Sequence, residues 1–341
     1  MSKMVPVLDK YKKPLMPCSE KRARQLMESG KAKPYWCKGV FCIILQVEPK
    51  SRYMQDIVVG IDPGSKFEGL TVKSEAHTLL NVQTEAKTDV KAKMESRTAL
   101  RGSRRARKTR YRKCRFNRSR SKGYIPPSTK ARWDYKISLV NWFRKMYPVK
   151  IVAIEDVSAK TIKGTKKWNR NFSPIEVGKN YFRNWVLNEG LKLYEFKGYE
   201  TFNIRKDLGL KKNSSKSKRD FHTHCVDSWC ISNQVVGGHT EVDNKDVLFL
   251  SPIVRYRRQL HVQKPSAGGV RKNYGGTRSC GIEKGTLVKH NHKQNTIALV
   301  GGNNKQGISL HTIDTNKRFF RTAKIANLDI LTNMKWSISS V

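Results

Sequence analysis

The sequence predicts an α/β chain: a mixed sheet interrupted by an arginine-rich helix, with a small N-terminal unit and a β-rich C-terminal module. Three observations predict it. DIVVGID, FEGLTVKS, HTLLNVQ and VKIVAIEDVS are short apolar runs bounded by turn residues, the signature of strands. After residue 126 such runs alternate with helical patterns, TKARWDYKISLVNWFRKMYP and residues 174–190. Between Lys91 and Lys122 stand fifteen Lys or Arg against one acid, Glu95.

Taken in order, residues 1–54 read as one small unit. PLMPCSEKRARQLMESGKAK predicts a turn and then a helix, capped by Ser19 and ended by Gly30. Val40–Val47, VFCIILQV, is short, apolar and rich in β-branched residues, which predicts a strand. Residues 55–90 hold the first three strands of the main sheet, and the short turns between them predict an antiparallel meander. Residues 91–125 are the basic segment. Arg97, Arg101 and Arg105 fall on one helical face, and Arg104, Lys108 and Arg112 on another. A helix charged on nearly all sides is not held by its own packing but is stable among phosphates. A disordered basic arm is the other reading, and both imply nucleic acid.

Residues 126–205 supply a helix, a strand ending in Glu155 and Asp156, a second helix, and LKLYEFKGYETFNI, a strand with its flank. In residues 206–243, KKNSSKSKRD reads as a polar, flexible connector leading to an amphipathic helix, FHTHCVDSWCISNQVV. Residues 244–341 carry short strands and glycine turns, a small β-rich module.

Composition narrows the function. Sixty-nine Lys and Arg against 27 Asp and Glu give a formal net charge of +42 over 341 residues. A chain so charged repels itself unless a polyanion neutralises it, so nucleic acid is the expected partner. An anionic membrane surface is the alternative, but no long helix with a clean apolar face supports it. No run of about 18 apolar residues predicts a spanning helix. The opening MSKMVPVLDKYKKP lacks the apolar stretch of a signal peptide, and the expected location is the cytoplasm. Seven scattered cysteines without a CxxC pair predict reduced, mostly buried thiols and no zinc ribbon.

The carboxylates carry the chemistry. Asp62 ends the first strand of the meander, Glu155 ends the fourth strand, and Asp227 lies on the later helix. If the two strands are neighbours, both acids leave the same sheet edge, and Asp227 completes a cluster of three. Three such acids repel one another in low dielectric, and divalent cations relieve this. Mg²⁺ favours oxygen ligands, and two such ions clamp the attacking and leaving oxygens of a phosphodiester displacement. Mn²⁺ is a possible substitute. His224, three residues before Asp227, is placed to activate water or stabilise the leaving oxygen. Singly, each has a plainer reading: Asp62 as an Asp-Pro-Gly turn residue, Glu155 as an ion pair, His224 with Asp227 as a structural hydrogen bond. Their order and strand-end placement favour the cluster. Asp156 alternates to the opposite sheet face and ranks lower.

GIDPGSK, IVAIEDV and HTHCVDSW resemble the three split motifs of a RuvC-type nuclease with an RNase H-like fold. The basic segment resembles the bridge helix of the RNA-guided IscB family, and PLMPCSEKRARQLMESGKAK resembles that family's PLMP segment. RYRRQLHVQKPSAGGVRKNYGGT and GIEKGTLV resemble its C-terminal module. IscB carries an HNH nuclease between the second and third RuvC motifs, but here Glu155 and His224 are only 69 positions apart, which leaves no room for one. The adjacent His290, Asn291 and His292 are a coincidence of letters, because an HNH site spreads those residue types over a ββα unit. The chain therefore resembles IsrB, the HNH-lacking relatives of IscB.

That resemblance implies an RNA-guided DNA nickase that holds one structured omega-type guide RNA per protein. It implies a duplex DNA target with an adjacent short motif, and a single RuvC site cutting the displaced strand. Arg97, Arg101, Arg104, Arg105, Arg107, Lys108, Arg110, Arg112 and Arg115 would grip the guide backbone. The C-terminal module would read the adjacent motif and part of the RNA, with Arg255, Arg257 and Arg258 on phosphates. Cys225 and Ser228 stand where family members often have Ala, and YWCKGVF around Cys37 is unlike the usual family stretch. An unguided junction resolvase and a non-catalytic RNA-binding protein are the remaining readings.

Overall fold

The computed structural model describes residues 4–49, 51–106, 124–158, 173–238, 241–253, 278–291, 296–303, 306–313, 315, 317–333 and 335–339. They fall into two compact units, one drawn from residues 1–90, 119–252 and 338–341, the other from 91–118 and 253–337.

The first unit begins with β1 (Met4–Leu8), β2 (Pro14–Ser19), α1 (Glu20–Glu28), β3 (Ala32–Cys37) and β4 (Val40–Leu45), in a sheet of order β2-β1-β4-β3. The segment Pro14–Ser19, expected as a turn, is a strand. Its two prolines are tolerated because it lies at the sheet edge, where a missing N–H costs no ladder bond. The helix start is as read: Ser19 Oγ accepts the Arg22 N–H at 3.4 Å, and Gly30 follows the helix at φ +68°. Lys38 and Gly39, both at positive φ, close the β3–β4 hairpin in two residues.

The main sheet follows. β5 (Ile57–Asp62), β6 (Phe67–Ser74) and β7 (Thr78–Glu85) form the expected antiparallel meander. α2 (Asp89–Ala106) comes next in sequence, then α3 (Pro127–Phe143), β8 (Val149–Asp156), α4 (Ser173–Asn188) and β9 (Lys192–Lys197). The stretch after β9, read as a strand flank, is a helix, α5 (Gly198–Asp207), opened by a bond from Lys197 N to Glu200 Oε2 at 2.6 Å. A π-type turn, Phe221–Cys225, runs into α6 (Val226–Val236), and β10 (Val247–Pro252) pairs parallel with β7.

β8 lies parallel beside β5, and β9 parallel beside β8. The order β7-β6-β5-β8-β9, with only β6 reversed, is the RNase H-like arrangement. β10 extends this sheet beyond β7.

Ile57, Val58, Val59 and Ile61 are all buried, because β5 is covered on both faces. On one face Val58, Ile151 and Ala153 pack on Ile231 of α6. On the other, α3 sends Lys136 to Glu68 of β6 and Tyr135 to Thr84 of β7, and it packs on α4 through Trp133 and Phe182 at 5.2 Å between rings. α6 was expected to be amphipathic. Instead, every residue from Val226 to Asn233 is buried, and its two serine hydroxyls find partners: Ser228 Oγ bonds Thr71 Oγ1 at 2.9 Å and the Cys225 carbonyl, and Ser232 Oγ donates to the Ser228 carbonyl.

The second unit holds a two-stranded ribbon, β11 (Arg278–Ser279) with β12 (Ile282–Glu283), and a five-stranded antiparallel sheet. The sheet is β13 (Thr286–His290), β14 (Thr296–Asn303), β15 (Ile308–His311), β16 (Arg318–Ala323) and β17 (Leu328–Asn333), in the order β16-β15-β14-β13-β17. Val288, Ala298, Val300, Ile308 and Leu310 form its core, as the β-rich reading expects. The last strand, β18 (Trp336–Ser339), lies at the outer edge of the main sheet, next to β10. Among the described residues no helix is long and apolar enough to cross a membrane.

Candidate active site

The register of two strands builds the centre of the site. Gly60 of β5 pairs with Ala153 of β8. Side chains alternate with period two. Two residues further along each strand, Asp62 and Glu155 therefore stand side by side on the face that α6 covers. α6 brings Asp227 in its first turn. One ligand oxygen from each of Asp62, Glu155 and Asp227 lies within 4.8 Å of the other two. Asp156 points the other way, to Lys179 and Arg183 of α4.

Two glycines let the helix come this close. A Cβ on Gly60 would lie 2.1 Å from the Ser228 carbonyl oxygen, and one on Gly69 would lie 1.8 Å from the carbonyl oxygen of His224. The backbone that carries Asp227 rests directly on β5 and β6. The π-type turn just before it, closed by Val226 N–H on the Phe221 carbonyl, is a form often found at functional sites.

The electrostatics are those of crowded acids. Burial pushes Asp62 up, opposed by the Lys212 charge and reinforced by Asp227. Burial, then the charges of Asp62 and Asp227, push Glu155 up to about 8. All available donors are carboxylate oxygens, hard ligands of the kind Mg²⁺ and Mn²⁺ take. The residues present fit a divalent metal, and Asp62, Glu155 and Asp227 would hold it.

His224 is buried beside this cluster rather than in it. Its ring lies 5.2 Å from that of Phe67, and its Nε2–H donates to the Lys216 carbonyl at 3.1 Å. Nδ1 is then the nitrogen left to accept a proton. Burial lowers the His224 pKa, against the bond to Lys216.

Two site residues escaped the sequence reading. Lys212 Nζ contacts Asp227 Oδ2 and lies 3.4 Å from Asp62 Oδ2, and Arg205 Nη1 contacts Asp227 Oδ1. Burial alone would lower the Lys212 pKa, but the negative charges of Asp62 and Asp227 raise it. Lys212 comes from the segment expected to be a flexible connector. It is tied down instead: Asn213 N–H donates to the His222 carbonyl at 2.9 Å, and His222 Nδ1–H to the Lys211 carbonyl at 3.1 Å. Glu200, three residues past the end of β9, was the available sign of the helix that brings Arg205.

Of the basic residues, Arg97 and Arg101 are exposed on α2, and Arg104 and Arg105 lie on its last described turn. Arg107, Lys108, Arg110, Arg112, Arg115, Arg255, Arg257 and Arg258 lie outside the described residues.

Comparison with known proteins gives three results. The sequence model of the family described as RRXRR protein matches residues 5–169. This span contains Asp62, Glu155 and the basic segment, which reads Arg104-Arg105-Ala106-Arg107-Lys108 at its centre. No curated protein matches the chain. Among solved structures, it is similar to Thermus thermophilus RuvC in complex with a Holliday junction substrate, with 14% identity and a TM-score of 0.29 over 54% of this chain and 97% of that one. It is also similar to the yeast mitochondrial Holliday junction resolvase, with 12% identity and a TM-score of 0.28 over 54% of this chain and 78% of that one.

Proposed function

We propose that the chain is a metal-dependent, RNA-guided DNA endonuclease that nicks the displaced strand of its target, in the manner of IsrB. The observation that carries the reading is the convergence of Asp62, Glu155 and Asp227 from two neighbouring strands and a helix. Nothing in the fold requires three acids at one point, and their mutual repulsion opposes folding unless cations balance it. The RNase H-like sheet and the family match over residues 5–169 support the same class.

Asp62, Glu155 and Asp227 would hold two Mg²⁺ ions, which supply Lewis-acid stabilisation of the attacking and leaving oxygens. The chain's own residues do the rest. His224, kept neutral by burial and oriented by Lys216, accepts a proton from water through Nδ1. The charge of +42 and the arginines of α2 hold the guide RNA by its phosphates. Base pairing with the guide reads the target sequence, while the C-terminal residues 244–341 read a short adjacent motif, with Arg255, Arg257 and Arg258 on phosphates. One such site among the described residues would yield a nick.

The test is to express the chain with its native flanking DNA, purify it at high salt and sequence the retained RNA. That RNA then programs a supercoiled-plasmid assay with and without Mg²⁺, beside Asp62→Ala. One abundant RNA with a variable end, and Mg²⁺-dependent nicking lost in Asp62→Ala while RNA binding persists, supports the reading. A smear of unrelated RNA with metal-dependent cutting turns it into an unguided nuclease. Full nicking by Asp62→Ala refutes the site.

A further inference from the structure

The acid cluster already contains a cation of its own. Lys212 Nζ touches Asp227 Oδ2 and lies 3.4 Å from Asp62 Oδ2, between two of the three carboxylates. A divalent ion bound by the same oxygens must approach them to about 2.0–2.1 Å for Mg²⁺. The ammonium and the ion need the same oxygens and the same space, so they exclude each other. Arg205 differs, because it bonds the other oxygen of Asp227, Oδ1, and leaves Oδ2 free of its own contact.

The way Lys212 is held suits a group that comes and goes. Its neighbours Lys211 and Asn213 are both bonded to His222, in the turn that leads into Asp227, which fixes the backbone beside the site. Its side chain is 33% exposed, against 6% for that of Asp227, so a path to solvent is open. A lysine has a flexible four-carbon stem ending in a compact charge. It can leave without moving the backbone.

We propose that Lys212 is the place-holder of the metal centre: its ammonium occupies the seat between Asp62 and Asp227 in the metal-free protein and yields it to the incoming divalent ion, while Arg205 stays and orients Asp227. This rests on the reading of the three acids as metal ligands. Lys212 thereby keeps the acids assembled without metal and raises the metal concentration needed to fill the site. Removing it destabilises the metal-free state alone, so metal binding must tighten. A purely structural lysine would act in the opposite direction, since its loss would loosen the site.

The test is Mn²⁺ binding to the full chain, free of nucleic acid at high salt, by calorimetry and by electron paramagnetic resonance. Wild type is compared with Lys212→Met, Lys212→Arg and Asp62→Ala. The expected result is Mn²⁺ binding by wild type that is lost in Asp62→Ala and roughly tenfold tighter in Lys212→Met, within the factor of about 5–150 usual for coupled sites. Lys212→Arg retains a competing charge and stays within a few-fold of wild type. Binding by Lys212→Met equal to or weaker than wild type overturns the proposal. If Lys212→Met does not fold, Lys212→Gln takes its place, with the same two outcomes. If wild type itself binds no Mn²⁺, the metal-ligand reading fails, and the place-holder fails with it.

Discussion

Gly60→Ala adds one methyl group where β5 and the helix carrying Asp227 have no room for it. The new Cβ would lie 2.1 Å from the Ser228 carbonyl oxygen and 2.1 Å from Ser232 Oγ, where an ordinary contact starts at 3.4 Å. The serine hydroxyl can rotate away, but the carbonyl belongs to the helix backbone, so α6 must retreat by about 1.3 Å from the sheet. Overpacking of this kind costs about 1–3 kcal/mol, and a clash with backbone belongs at the upper end. At about 2–4 °C per kcal/mol for a domain of this size, melting falls by roughly 6–12 °C. The effect on the site is larger. Asp227 is adjacent to Ser228 and moves with it, out of a cluster whose oxygens lie within 4.8 Å. Misplacement by about 1 Å can cost about 10²-fold in rate. The assay pairs a thermal melt with the plasmid-nicking rate at saturating Mg²⁺, measured where the variant is still folded. Gly102→Ala is the control: among the described residues nothing lies within 4 Å of its Cβ, and alanine in a helix gains up to about 1 kcal/mol over glycine. If Gly60→Ala keeps both its melting temperature and its rate within twofold of wild type, the close approach does not set the position of Asp227.

Two further outcomes follow from the structure. Lys136 and Glu68 Oε1 form an ion pair at 2.6 Å with both side chains 1% exposed, and Glu68 Oε2 has no hydrogen-bond partner among the described residues. Lys136→Met strands a buried carboxylate and should lower the unfolding free energy by about 3–5 kcal/mol, whereas the double change Lys136→Met with Glu68→Leu recovers most of it; equal losses in denaturant titration would refute the pairing argument. Replacing Arg101, Arg104 and Arg105 with alanine should reduce the slope of log affinity against log salt for RNA by about 0.7–0.9 for each phosphate left without its arginine. An unchanged slope in filter binding would show that α2 does not grip the backbone.

Much of this molecule was legible in its sequence, for physical reasons that can be named. The meander Ile57–Glu85 reads plainly because its strands are short apolar runs joined by tight turns. Asp62 and Glu155 stand out because a carboxylate at the end of a buried run has no local use. The expectation of a nucleic-acid partner follows from charge alone, since +42 is a sum over residues that needs no fold. Local signals misled where the environment overrides them. Pro14 and Pro17 suggest a turn until the edge position of β2 removes the cost of a missing N–H. FHTHCVDSWCISNQVV has enough polar residues to look amphipathic, and the burial of Val226–Asn233 rests in part on Thr71 and neighbouring carbonyls that bond its serine hydroxyls.

The sequence by itself determined the strands of the meander, the three acids and the charge, because each is written in a short window or in a total. Only the tertiary structure decided how these meet. The pairing of Gly60 with Ala153 sets two acids side by side, and the close seat of α6 on Gly60 and Gly69 delivers the third. Lys212 and Arg205 reach the same point from a segment that reads as a connector and a helix that was not expected. Register, helix seating and the reach of a lysine are relations between residues far apart in the chain, and no local pattern encodes them.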